Sequence, residues 1–304
     1  MTDEGPLHEG QLPVTAGLVR RLVEDQLPQH RSLPLRPVAG GGTVCAVFRL
    51  GEDLTVRLPL TGDDAVQVGA ALQAEARASA ALAVVCPVPA PLPVVLGRPG
   101  HGYPLPWSVQ TWVPGHDALV EDPAGSAAFA EDLGVVIDAF RASGTGGRTF
   151  VGERRDGRGG HLPDHDEWVD HCLAQSVGHD LDTASLGALW DDLRDLPPAG
   201  PDVMTHGDLM PGNVVVTDGR LGGLLDTGGF GPADRALDLV AAWHLLGAPA
   251  RAVLRGRLGC TDLEWARGRA WALQQALGLV WYYAGSHPAI SRVGRRTLAR
   301  VLAG

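Results

Sequence analysis

The stretch that decides the fold is residues 206–226, which read HGDLMPGNVVVTDGRLGGLLD. Two short apolar runs flank the turn pair Asp218-Gly219, a combination typical of a β-hairpin. A hairpin brings its two open ends together, so Asn213 before the first strand and Asp226 after the second are expected to lie close to each other. The sequence therefore predicts a cluster of polar groups at the open end of this hairpin.

Three polar side chains of this stretch form a pattern suited to phosphoryl transfer. Asn213 and Asp226 offer the hard oxygen ligands that Mg²⁺ prefers, and substrate phosphates can complete the coordination shell. Asp208 lies just upstream, where a carboxylate can accept a proton from an incoming hydroxyl. The alternative is that each residue merely caps a turn or a strand end. For all three at this spacing, the catalytic interpretation is favoured.

The rest of the chain divides into two parts of different character. Short β-type runs separated by glycine-bearing turns follow one another up to residue 113, and they predict an antiparallel sheet. After that, apolar residues recur mainly at helical spacing. We therefore expect an α+β fold of two lobes, residues 1–113 and 114–304, with a ligand cleft between them.

Composition narrows the classes of function. The chain has 304 residues, 45% of them hydrophobic, which is enough to bury a core and excludes wholesale disorder. The net charge is −10, which disfavours a nucleic-acid partner. All 25 basic residues are arginines, so chemistry that needs a lysine amine is excluded. The four scattered cysteines argue against a disulfide framework, and no signal peptide or long apolar run is visible, so a cytoplasmic protein without a membrane partner is expected.

With these features in place, the sequence resembles the aminoglycoside/macrolide phosphotransferase family, whose members have a protein-kinase-like fold. The stretch 206–213 is similar to that family's catalytic loop, and 225–228 is similar to its metal-binding Asp motif. Further similarity runs from Arg57-Leu58-Pro59 to 271–277, which is nearly the whole chain. The resemblance implies a two-lobed kinase-like fold with an antiparallel N-terminal lobe and a mainly helical C-terminal lobe.

The resemblance also implies roles for individual residues. Asp208 would be the catalytic base, with Asn213 and Asp226 as Mg²⁺ ligands. Arg57 would replace the lysine that contacts the nucleotide phosphates, and Glu75 on the following helix would be its ion-pair partner. ATP or GTP would be the co-substrate, bound by the N-terminal lobe.

Further positions are expected to contact the nucleotide or to support the site. Gly41 and Gly42 belong to a glycine turn whose backbone amides can cradle phosphates. Gln110 and Trp112 lie where the kinase-like fold has its hinge, whose backbone binds the edge of the base. An acid at Asp238 braces the catalytic loop in that fold, although capping of the following helix is the alternative.

The acceptor site is expected in residues 114–304, which carry a net charge of −8 against −2 for residues 1–113. Asp166 and Asp170, with Trp168 between them, could line a pocket for a cationic or sugar-bearing acceptor. A solvated helix face is the plain alternative, and the loose spacing of nearby histidines disfavours zinc.

The function predicted is a kinase that transfers the γ-phosphoryl group of ATP or GTP to a hydroxyl of an antibiotic or related natural product. The acceptor would be aminoglycoside-like or macrolide-like. A biosynthetic or metabolic small-molecule kinase is one alternative. A non-catalytic nucleotide-binding pseudokinase is the other, and the intact Asp208, Asn213 and Asp226 argue against it.

Overall fold

The structure is a computed structural model that describes residues 10–38, 44–151 and 158–304. The helices and strands of these ranges, in chain order, are α1 Ala16–Gln26, β1 Leu35–Pro37, β2 Cys45–Leu50, β3 Leu54–Pro59, α2 Ala65–Val85, β4 Pro93–Gly97, β5 Trp107–Thr111, β6 His116–Asp117, α3 Ala127–Ala142, α4 Asp166–Gln175, α5 Thr183–Arg194, β7 Val203–Thr205, β8 Val214–Thr217, β9 Arg220–Leu224, β10 Gly231–Ala233, α6 Val240–Leu245, α7 Ala248–Leu258, α8 Asp262–Tyr282 and α9 Pro288–Ala303.

The N-terminal part is built on a five-stranded antiparallel sheet in the order β1-β2-β3-β5-β4. Its apolar face and α1 enclose a small core that includes Leu22, Leu58 and Trp107, all of them fully buried. The chain leaves this sheet after Thr111, and β6 pairs with β8 of the second part. The predicted α+β architecture is confirmed. The boundary at residue 113 between a nucleotide-binding lobe and an acceptor-binding lobe stays a prediction.

Helix α2 connects the two parts. It begins at the Asp64 cap, whose carboxylate accepts hydrogen bonds from two backbone amides of the first turn. Leu72 and Leu82 are buried, and Leu82 belongs to the large core of the C-terminal part. The sequence predicted no membrane-spanning segment, yet this alanine-rich helix is long and apolar enough to cross a membrane by length and composition. Its buried leucines and its Glu75, which pairs with Arg57 of β3, make it a packed element of this fold.

The hairpin that decides the fold forms as predicted. Strands β8 and β9 pair antiparallel, and Asp218 and Gly219 both have left-handed φ values of 52° and 70°. Two left-handed residues in succession define the turn whose twist matches that of the flanking strands, and glycine adopts this conformation without steric cost.

The segment that follows the hairpin, where the sequence favours helical spacing, contains a short strand that was not predicted. Strand β10, Gly231–Ala233, instead pairs antiparallel with β7, Val203–Thr205, and the next regular α-helix begins at Val240. Strands of three residues are too short to show an alternating pattern. Their pairing holds the stretch before residues 206–213 against the stretch after residues 225–228.

The core of the C-terminal part contains a buried histidine, which makes the free energy of unfolding depend on pH. His244 is 1% exposed, and its Nδ1 lies 3.0 Å from Oγ1 of Thr297. Burial lowers its pKa from 6.5 to about 3, and the positive charge of Arg158 adds to this effect. In the unfolded chain the ring takes up a proton below pH 6.5, while the folded protein holds it neutral until about pH 3.

We therefore expect the free energy of unfolding to fall as the pH drops through this window, by about 1.4 kcal/mol per pH unit from this one group. The measurement is urea unfolding of the wild type and His244→Gln between about pH 7 and pH 5. The variant keeps a polar partner for Thr297 but does not titrate, so its stability should depend less on pH. Equal slopes for the two proteins would contradict the assignment.

Candidate active site

The loop 206–213, which resembles the family's catalytic loop, is held in place by Asp238. This carboxylate is 2% exposed and accepts hydrogen bonds from the backbone N–H of His206 at 2.9 Å and of Gly207 at 2.8 Å. The ring of His206 lies 3.0 Å from the carbonyl oxygen of Leu225, at the end of the hairpin. The loop is thus tied both to the following helical turn and to β9. Two interpretations of Asp238 were open, bracing of the loop and capping of the following helix. These contacts support bracing of the loop.

Removal of this brace should destabilise the protein strongly. Asp238→Ala leaves two buried N–H groups without an acceptor, and we expect a loss of about 2–5 kcal/mol in the free energy of unfolding. Asp195→Ala is a matched control, because the Asp195 side chain is 77% exposed and its loss should cost little. Urea unfolding of both variants decides the matter. A loss below about 1 kcal/mol for Asp238→Ala would show that the loop does not depend on this carboxylate.

Asp208 and Asn213 contact each other directly. The Asn213 Nδ2 donates to Oδ2 of Asp208 at 2.7 Å and to the Asp208 carbonyl oxygen at 3.0 Å. A third group joins them, because Nη1 of Arg158 lies 2.5 Å from the same Oδ2. The side-chain nitrogen of Asn213 is therefore occupied within the loop, and its side-chain oxygen Oδ1 is the atom left to serve as a metal ligand.

The electrostatics of Asp208 combine two opposing effects. Burial raises the pKa of this carboxyl, and the positive charge of Arg158 counteracts the rise, while the negative charge of Asp226 adds to it. The net result is a pKa above the ordinary value. A carboxylate whose pKa is raised takes up a proton more readily, which suits a general base.

Asp226 lies at the open end of the hairpin next to Asn213. The backbone N–H of Leu225 donates to the Asn213 carbonyl oxygen at 2.8 Å, which joins the two chain segments. The backbone of Asp226 is in the left-handed region, with a φ of 50°, which is uncommon for a residue with a side chain. Its side chain is 52% exposed. One carboxylate and one amide oxygen in adjacent positions form a donor set that fits Mg²⁺, which binds few protein oxygens.

Arg57 of β3 reaches the same place from the N-terminal sheet. Its Nη2 lies 3.5 Å from Oδ1 of Asp226, and its Nη1 lies 3.9 Å from Oε2 of Glu75. Helix α2 approaches closely here, since a Cβ on Gly228 would come within 2.7 Å of Cγ of Glu75. The structure thus brings together the arginine and the glutamate that the sequence analysis paired, beside the candidate metal ligand.

A hydrogen bond absent from the sequence analysis reinforces this contact. Oγ1 of Thr227 donates to Oγ of Ser79 at 2.9 Å, and both side chains are buried. Thr227 lies directly after the candidate metal ligand Asp226. In this chain its hydroxyl links α2 to the turn after Asp226.

The predicted nucleotide contacts divide into two sets. Gly41 and Gly42 lie outside the described residues. Gln110 lies on β5, opposite Thr55 of β3, close to the point where the chain leaves the sheet. The backbone N–H of Trp112 donates to the carbonyl oxygen of Asp53 at 2.7 Å, and its ring stacks under Arg49. The backbone carbonyl oxygen of Trp112 can therefore bind a nucleotide base, but its backbone N–H cannot.

The two acids predicted for the acceptor have different surroundings. Asp166, at the start of α4, accepts a hydrogen bond from Nε1 of Trp190 at 2.8 Å and pairs with Arg194 at 2.7 Å. Its carboxylate is thus used to join α4 to α5. Asp170 is exposed on the same helix, and Trp168 of that helix is 42% exposed. No group of three or more His, Cys, Asp or Glu side chains suited to a metal ion occurs in the part of the chain that the structure describes.

Arg158 is a residue of the candidate site that sequence reasoning missed. It lies in a Gly- and Arg-rich loop with no motif, about fifty residues before Asp208. An arginine in such a loop is usually solvated, so only the folded structure shows the contact. Ser79 was missed for the same reason, because its partner lies on a distant segment.

Comparisons with known proteins identify the family and the fold of this chain. The chain matches the model of the phosphotransferase enzyme family over residues 34–303. A curated relative, an aminoglycoside 3'-phosphotransferase of Escherichia coli, is 42% identical over 60 residues, which is 19% of this chain and 22% of that protein. The match thus spans about a fifth of that relative.

Two solved structures share the fold over most of their length. One is the GDP complex of aminoglycoside 2'-phosphotransferase-IIIa, with a TM-score of 0.68, 18% identity and coverage of 94% of this chain and 97% of that chain. The other is macrolide 2'-phosphotransferase MphH from Brachybacterium faecium, with a TM-score of 0.59, 20% identity and coverage of 93% and 98%. These likenesses show the kinase-like fold predicted from the sequence. Because the family model covers nearly the whole chain, this protein belongs to the phosphotransferase enzyme family.

Proposed function

We propose that this protein is a kinase that transfers the γ-phosphoryl group of ATP or GTP, with Mg²⁺, to a hydroxyl of a small molecule. The observation that carries the proposal is the convergence of Asp208, Asn213 and Asp226 at the open end of one hairpin, with Arg57 reaching Asp226 from the opposite lobe. Phosphoryl transfer depends on positioning and on charge stabilisation, and this set of groups supplies both.

Each residue has a defined task in this proposal. Asp208 orients the acceptor hydroxyl and accepts its proton as the oxygen attacks the γ-phosphorus. Asn213 and Asp226 hold Mg²⁺, which neutralises charge on the transferred group. Arg57, oriented by Glu75 and Asp226, binds the phosphates of the nucleotide, and an arginine can do so with two parallel hydrogen bonds.

The nucleotide is proposed to bind between the sheet and the hairpin. The backbone at Gly41 and Gly42 would cradle its phosphates. The hinge at Gln110 and Trp112 would take its base, with the Trp112 carbonyl as acceptor because the Trp112 N–H is already bonded to Asp53.

An antibiotic of the aminoglycoside or macrolide class is the leading acceptor, because the relatives with these names match the fold and part of the sequence. Of the two acids proposed to bind it, Asp170 is the one with an open carboxylate, since Asp166 pairs with Arg194. A biosynthetic kinase would use the same machinery on a metabolic intermediate.

The experiment is a nucleotide-consumption assay with Mg²⁺ and either ATP or GTP. The acceptors are panels of aminoglycosides, macrolides and sugar alcohols, and Asp208→Asn is the inactive control. We expect turnover with one acceptor class, and turnover slower by about 10²-fold or more with the variant. Resistance of a sensitive host that expresses the protein would favour antibiotic inactivation, and turnover without resistance would favour the biosynthetic role. Nucleotide binding without turnover on any acceptor would contradict the proposal and favour a pseudokinase.

A further inference from the structure

Arg158 occupies the position on Asp208 that an acceptor hydroxyl needs. Its Nη1 lies 2.5 Å from Oδ2, the oxygen that also accepts from Asn213 at 2.7 Å. The other oxygen, Oδ1, is shielded from solvent and has no hydrogen-bond partner among the described residues. While Arg158 is in place, therefore, neither oxygen of the carboxylate is open to an incoming hydroxyl.

The position of Arg158 is fixed by its own chain segment. The next two residues, Gly159 and Gly160, have left-handed φ values of 93° and 85°, and a Cβ on either would lie within 3.4 Å of the Phe150 ring. The Gly159 carbonyl oxygen lies 2.9 Å from Nε2 of His165. Phe150 and His165 of the C-terminal part thus anchor the backbone beside Arg158, whose side chain points at the carboxylate of Asp208.

The contact is strong enough to matter for binding. The two side chains are only 20% and 17% exposed, and a charge-assisted hydrogen bond in such a place is stronger than one on the surface. A water molecule is small and gains only a few hydrogen bonds to offset the loss of this ion pair. An acceptor that also binds to the C-terminal part gains further contacts that offset this loss.

We propose that Arg158 closes the acceptor position of Asp208 in the absence of acceptor, so that an acceptor must break the ion pair before it is phosphorylated. This inference rests on the proposed kinase function and adds a residue that governs acceptor selection. It explains how the site would avoid using water as the acceptor. Attack of water on the γ-phosphorus would break the bond to the oxygen that bridges the β- and γ-phosphates, and would release nucleoside diphosphate and phosphate. The proton of the water would pass to Asp208. With Arg158 in place, that proton has no acceptor.

A different role for Arg158 makes a different prediction. Residues 206–213 contain no Lys or Arg, so Arg158 could instead turn toward the transferred phosphoryl group and stabilise its charge. In that case removal of the side chain should lower kcat for transfer and leave the KM for acceptor unchanged.

The test compares Arg158→Ala with Arg148→Ala, a control in the same loop whose side chain bonds Thr145 and Met204. For Arg158→Ala we expect acceptor-independent nucleotide hydrolysis to rise about tenfold or more, and the acceptor KM to fall. The control should match the wild type. Arg158→Lys keeps the charge and should give intermediate values. In the double variant Arg158→Ala/Asp208→Asn the extra hydrolysis should vanish, because it requires the exposed base.

The contradicting results are distinct. Suppose that a folded Arg158→Ala protein still transfers phosphate, with unchanged nucleotide hydrolysis and unchanged acceptor KM. That result would overturn the proposed role of Arg158 and leave the proposed kinase function standing. A fall in kcat at constant KM would overturn that role in favour of the phosphoryl contact. Absence of nucleotide turnover in the wild type, with and without every acceptor, would overturn the proposed function and this inference together. A urea double-mutant cycle on Arg158 and Asp208 adds a readout independent of activity, and zero coupling would contradict the ion pair itself.

Discussion

Asp208→Asn should lower the rate of phosphoryl transfer by about 10²- to 10⁴-fold, the range that general base catalysis typically contributes. The amide cannot accept the proton of the acceptor hydroxyl. It retains the shape of the carboxylate and one oxygen for Arg158 and Asn213, so the loop should keep its conformation. Nucleotide affinity should change little, because in the proposed mechanism Asp208 contacts the acceptor hydroxyl and not the nucleotide.

The measurements are kcat and KM for acceptor, together with nucleotide affinity from calorimetry. Asp218→Asn is a suitable control, because Asp218 is a left-handed turn residue of the same hairpin and asparagine tolerates that conformation. A variant that kept more than a tenth of the wild-type kcat would show that Asp208 is not the base.

Asp226→Asn should weaken the binding of the Mg²⁺–nucleotide complex and slow transfer together. The substitution removes one negative ligand from a hard cation, and changes of ligand or supporting groups at metal sites cost about 10²-fold in affinity. It also removes the negative charge that lies 3.5 Å from Arg57, which leaves Glu75 as the acid beside that guanidinium.

Titration of Mg²⁺ at saturating nucleotide separates the two effects, since a lost ligand shifts the Mg²⁺ dependence and a displaced arginine does not. The Arg57→Ala variant provides the comparison, with weaker nucleotide binding at an unchanged Mg²⁺ requirement. An Asp226→Asn protein with wild-type Mg²⁺ dependence would remove this residue from the metal site.

The polar cluster could be predicted from the sequence because its members are close along the chain. Asp208, Asn213 and Asp226 belong to one loop and one hairpin, so local turn chemistry alone brings them together. Arg57 and Glu75 lie further away, and their pairing was expected only through the resemblance to a known family. Both sets agree with the geometry that the structure displays.

Features that depend on tertiary packing could not be predicted in this way. The three-residue strands β7 and β10 have no periodicity of their own and form only because the fold places them side by side. Asp166 was grouped with Asp170 as an acceptor acid, yet its carboxylate is used by Trp190 and Arg194 of the next helix. The contact of Arg158 with Asp208 likewise joins a loop without a motif to the catalytic loop.

The central claim is that this hairpin cluster transfers a phosphoryl group to a small-molecule hydroxyl. Its most direct test is a single-turnover reaction with enzyme in excess over Mg²⁺–nucleotide and an acceptor from the active class, followed by mass spectrometry of the acceptor. The account predicts an acceptor that gains one phosphoryl group with the wild type and remains unmodified with Asp208→Asn, although both proteins bind the nucleotide. Equal product from both proteins, or no phosphorylated acceptor from a wild type that binds Mg²⁺–nucleotide, would contradict it.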